Sequence, residues 1–120
     1  MTKIKNSKQY DLEDRTLEFA KNVRAFVKKL PRTVANIEDG KQLIKSSGSV
    51  GANYIEANEA LSKKDFLMRI KISRKEAKES RYWLRLIDVQ DVDLKGEQEY
   101  LIKESTELTN IFGSILQKSQ

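Results

Sequence analysis

The chain has 120 residues, 23 basic against 18 acidic side chains, a net charge of +5, and neither Cys nor His. That leaves no thiol nucleophile, disulfide, thiolate metal ligand or imidazole base, which excludes most nucleophilic enzymes and nearly every zinc site. Hydrophobic residues at 38% against charged ones at 34% suit thin amphipathic helices in one domain over 1–120 better than a sheet buried on both faces.

In chain order, residues 1–10 are polar and read as a flexible N-terminal segment with no apolar leader. The first helix is expected to open at Asp11 as N-cap. It repeats apolar or small residues at Leu12, Thr16, Phe19, Ala20, Val23, Phe26, Val27 and Leu30 before Pro31 stops it. A polar connector then runs to Gly40. Beyond it Leu43, Ser47, Val50, Tyr54, Ala57 and Leu61 recur in steps of four and three, predicting a second helix.

Ser62 followed by Asp65 resembles a capping box. After it Phe66, Ile70, Ser73, Ala77, Ser80, Leu84 and Ile87 hold a heptad seam, which predicts the third helix. Asp88 to Gly96 reads as a polar loop. Leu101, Ser105, Leu108, Phe112 and Ile115 then predict a fourth helix. A period near 3.5 residues together with short loops predicts an all-α, antiparallel up-down-up-down four-helix bundle. No run approaches the roughly 18 apolar residues of a membrane span, so a cytoplasmic protein with no membrane partner is expected.

Sites that four-helix bundles often carry find no support in the composition. A di-iron centre takes Glu-x-x-His pairs, and Glu76 with Glu79 has neither His nor a matching ligand pair elsewhere. Gly48 and Gly51 lack the strand and the Lys-Ser/Thr of a phosphate loop, so helix packing explains them better. No catalytic residue, metal, cofactor or small-molecule substrate is expected, and the chain is not expected to be an enzyme.

The third helix concentrates the positive charge, with nine basic and three acidic residues between 62 and 87. At about 100° per residue, Lys64, Lys71, Arg74, Lys78, Arg81 and Arg85 share a stripe beside the apolar seam. Such a stripe is either an electrostatic footprint for RNA or DNA phosphates or an ordinary solvated face. On the other flank Arg69, Ile72, Glu76, Glu79 and Trp83 mix acid with large apolar groups. That mixture suggests contact with a second copy, Trp and Arg being favoured anchors; the alternative places Trp83 in the intramolecular core.

The second helix carries small residues mid-element, Ser46 to Ser49, Gly51 and Ala52. These small side chains, Gly48, Gly51 and Ala52 together with the serines, are expected to admit the third helix closely at Ser73, Ala77 and Ser80. Asn53 and Glu56 are expected to join a polar network with Arg69.

The strings SSGSVGANYIEANEALSKKDF (46–66), KEAKESRYWLRLI (75–87) and FAKNVRAFVKKLP (19–31) carry a resemblance. The chain resembles the small proteins encoded within intervening sequences of bacterial 23S ribosomal RNA genes, over nearly its whole length. Where those relatives commonly read Glu-Gly after the central Asn, this chain has Glu56, Ala57 and Asn58. The resemblance implies a four-helix bundle assembled as a ring-like homopentamer, with no established enzymatic activity. The sequence therefore points to an oligomeric bundle that binds RNA through its basic stripe or, alternatively, to a scaffold for a protein partner.

Overall fold

The computed structural model describes residues 8–120. These form four helices, α1 (Lys8–Lys28), α2 (Val34–Asn58), α3 (Lys63–Leu86) and α4 (Val92–Ser119), and no strand occurs among them. Each helix packs on two others. Helix α2 lies most extensively on α3, α3 on α4, and α1 closes the square against α2 and α4.

The core follows the expected periodicity. Leu12, Phe19, Val23 and Phe26 of α1 meet Leu43, Val50 and Tyr54 of α2, Ile70, Ala77 and Leu84 of α3, and Leu101, Leu108 and Phe112 of α4 in one buried cluster. Helix α1 starts at Lys8, so Asp11 lies within it rather than capping it. Of the segment expected to be flexible, residues 1–7 lie outside the described residues.

Three boundaries are fixed by side chains that take up the otherwise unpaired amides of a helix start. Thr33 Oγ1 accepts the Asn36 amide at 3.1 Å, Ser62 Oγ the Asp65 amide at 3.1 Å, and Asp91 Oδ2 the Leu94 amide at 2.9 Å. The Ser62 cap matches the sequence reading, whereas the other two start α2 and α4 nine residues ahead of their first seam residues, Leu43 and Leu101. Gly40 and Gly96 are thus interior to helices and break neither. Gly40 serves packing, for a Cβ there would stand 3.0 Å from Val27 Cγ1. Helix α2 ends at Asn58, which leaves Leu61 in the turn and fully exposed instead of on a core face.

Buried polar groups find partners, as an interior requires. Ser73 Oγ donates to the Val50 carbonyl at 2.9 Å, and the Ser46 and Ser80 hydroxyls meet at 2.9 Å. Gln98 Nε2 donates to the Leu84 and Ile87 carbonyls, both at 2.8 Å, tying α4 to the C-terminal end of α3. Along the α2–α3 contact, residues 46, 50 and 53 face 80, 73 and 69, so numbers rise on one helix as they fall on the other.

Candidate nucleic-acid interface

Capping by Ser62 starts α3, and the buried seam then fixes its rotation. Ile70, Ser73, Ala77, Ser80, Leu84 and Ile87 are all buried and Phe66 is partly so. With that face inward, helix geometry turns the residues just beyond the seam outward. Lys64, Lys71, Arg74, Lys78, Arg81 and Arg85 are all exposed. None of the six forms an ion pair within 4.0 Å among the described residues.

From position 64 to 85 the row spans about 32 Å at 1.5 Å per residue. It follows the α4 side of α3, because a Cβ at Gly113 of α4 would come within 3.3 Å of Arg74 Nε. The missing side chain at 113 lets this guanidinium lie close against α4 while remaining exposed. Guanidinium groups at 74, 81 and 85 can fork onto phosphate oxygens, and ammonium groups at 64, 71 and 78 add point charges. Such an array can hold a polyanion.

The other flank of α3 turns toward α2. Arg69 Nη1 donates to Asn53 Oδ1 at 3.0 Å, the one pair of the expected polar network that forms; Glu56 is exposed and bonds to neither. Ile72 is half-buried, and Trp83 packs partly buried against the core with its ring edge-on to Tyr82 at 5.1 Å. The Glu76 side chain is only 17% exposed, with Lys75 at 3.9 Å. Burial, reinforced by the nearby Glu79 charge, pushes its carboxyl above the ordinary range despite Lys75 and Lys45. Glu79 is exposed, 3.4 Å from Trp83 Nε1. Arg69 is thus tied to α2, and Glu76 and Trp83 are partly covered by the bundle.

The small residues of α2 divide differently from the expectation. Gly51 faces α1, where a Cβ would stand 2.7 Å from Thr16 Oγ1; Gly48 has nothing within 4 Å of a Cβ, and Ala52 is exposed. The α2–α3 approach is made by Ser46, one of the expected small residues, and by the Val50 carbonyl, against Ser80 and Ser73. Small size marks Gly51 for a close contact but does not say which helix fills the space.

A second row on α3 leaves almost no mark in the sequence. Met68, Tyr82 and Leu86 are 46%, 59% and 50% exposed, and lie opposite the buried seam. Their spacing of 14 and 4 residues is the only trace, and it is interrupted by Lys75.

A cavity of about 800 Å³ opens between the α1–α2 and α3–α4 connections, lined by Lys29, Asn36, Asp91 and Glu97 among others. Lys29 Nζ and Glu97 Oε2 pair across it at 2.9 Å. Among the described residues, no three His, Cys, Asp or Glu are grouped to hold a metal ion, and no helix is long and apolar enough to cross a membrane.

Comparison with known proteins gives a family match over residues 8–114, to a family described as 23S rRNA-intervening sequence protein. Among solved structures, a protein of unknown function from Bacteroides thetaiotaomicron, of the S23 ribosomal protein family, is similar with a TM-score of 0.78 and 31% identity. The alignment covers 92% of this chain and 99% of that one. No curated protein matches the chain.

Proposed function

The chain belongs to the 23S rRNA-intervening sequence protein family, and from that premise we propose that it is a non-enzymatic, self-associating helical bundle that binds RNA through the exposed face of α3. The observation that carries the reading is the row of six exposed cationic side chains without a carboxylate partner among the described residues. Cations left unpaired along about 32 Å of one helix are available to replace the counterions of a phosphate backbone, which is the main source of non-specific nucleic-acid affinity.

The bundle is read as antiparallel, up-down-up-down. Support comes from the opposed numbering of the α2–α3 contacts and from the pairs Arg15–Glu104 and Lys29–Glu97 between α1 and α4. Copies assemble in a ring, five in the form that the family resemblance implies, and repetition around a ring multiplies the cationic row. The protein works in the cytoplasm, where RNA is at hand.

A scaffold that binds another protein is the second reading, favoured by the exposed Met68, Tyr82 and Leu86. A mobility-shift experiment with single-stranded RNA separates the two. The parent is expected to retard the RNA, and Lys71→Gln, Lys78→Gln and Arg85→Gln together to weaken retardation at least tenfold. No retardation by the parent at low salt contradicts RNA binding and leaves the scaffold.

A further inference from the structure

Of the exposed apolar side chains Met68, Tyr82 and Leu86 on α3, Tyr82 is the one that borders the cationic row. It follows Lys64 by about five full turns at 3.6 residues each, so the two side chains leave the helix in one direction. Lys78 stands before it and Arg85 after it, about 6 and 4.5 Å away along the axis at 1.5 Å per residue. Both are exposed, and neither forms an ion pair among the described residues. Glu79, the one acidic residue within a turn of Tyr82, lies 3.4 Å from Trp83 Nε1 on the flank away from the row.

The Tyr82 ring is both held and open. Trp83 meets it edge-on, with centroids 5.1 Å apart and planes at 82°, while 59% of Tyr82 stays exposed. An aromatic ring at the border of a cationic row adds what the cations do not supply. Ammonium and guanidinium groups bind the phosphates of any nucleic acid, whereas a ring takes up the flat face of a base that is free of its neighbours. In a duplex the bases are already stacked on one another, and only an unpaired strand offers a base to the ring.

We infer that the nucleic acid on α3 is single-stranded and that Tyr82 stacks one of its bases, with the phosphates on either side of that nucleotide held by Lys78 and Arg85. This rests on the RNA binding proposed above, and adds the state of the strand and the residue that touches a base. Every base has a flat face, so the contact selects unpaired RNA without selecting a sequence. Stacking uses the ring and not the phenol hydroxyl, so Tyr82→Phe retains it.

Three labelled probes of about 12 nucleotides test it by fluorescence anisotropy at low salt: oligouridylate, an abasic strand of the same length, and the duplex of oligouridylate with oligoadenylate. The parent is expected to bind oligouridylate about tenfold more tightly than the abasic strand, within what one stacked base is worth. Tyr82→Leu keeps an apolar side chain at an exposed position. It is expected to lose that tenfold while its affinities for the abasic strand and the duplex stay at the parent's, and Tyr82→Phe to keep the preference. If the parent binds oligouridylate no more tightly than the abasic strand, or Tyr82→Leu binds oligouridylate like the parent or weakens on all three probes alike, the stacking inference is overturned and RNA binding stands. A parent that binds none of the three overturns both.

Discussion

Ser46 and Ser80 join hydroxyl to hydroxyl at 2.9 Å in the middle of the α2–α3 contact, and Ser80 Oγ donates a hydrogen bond to the Glu76 carbonyl at 2.9 Å. Two buried serines facing each other bring the helices closer than leucines would. Ala77 one turn earlier, without exposure, shares the seam. Ala77→Leu is therefore expected to destabilise the fold by about 1–3 kcal/mol through overpacking, and Ser80→Ala by about 1 kcal/mol through the lost hydrogen bond. Urea titrations check both, and an unchanged midpoint for Ala77→Leu contradicts the close approach.

The glycines of α2 give a contrast within one helix. Gly48→Ala meets open space and is expected to stabilise by up to about 1 kcal/mol from helix propensity. Gly51→Ala drives a methyl to 2.7 Å from Thr16 Oγ1 and is expected to destabilise in spite of the same propensity gain. Thr16→Ala combined with Gly51→Ala should recover part of the loss. Melting temperatures moving in the same direction for the two single variants would contradict the placement of α1 over Gly51.

Glu76 gives stability a pH dependence of known sign. Its folded-state pKa is raised, chiefly by burial and then by Glu79, with Lys75 and Lys45 opposing. The folded chain therefore binds the proton more tightly than the unfolded one. This site's contribution falls as pH rises from the ordinary carboxylate range through the raised value. Glu76→Gln removes the dependence and is expected to be more stable than the parent at pH 7, with a smaller difference at pH 4. Chemical denaturation at the two values checks it, and a larger gain at pH 4 would contradict the assignment.

Much of the fold is legible in the sequence, because a heptad seam such as Ile70, Ser73, Ala77, Ser80 and Leu84 encodes both the helix and its inward face. Helix starts are less so. Gly40 and Gly96 look like breakers, yet the caps Thr33 and Asp91 lie upstream of both, and packing against Val27 gives Gly40 its reason. The cationic row is legible since exposure follows from the seam's rotation. Trp83 and Glu76 are not, because whether a flanking residue is covered depends on how closely the neighbouring helix approaches, which a wheel does not contain. Leu61 is illegible for a related reason, as the periodic pattern runs on past the residue where α2 stops.

Salt dependence of RNA retention tests the central claim most directly. Each phosphate neutralised on a single strand contributes about 0.7 to the slope of log K against log salt, so changing Arg74, Lys78 and Arg81 to Gln should flatten the slope by about two. Filter retention between about 50 and 200 mM salt measures it, with parent and variant compared at equal helicity. A steep parent slope that the triple variant loses is the predicted result. Equal slopes for the two proteins, or no retention of RNA by the parent at the lowest salt, would contradict the assignment of the α3 face to RNA.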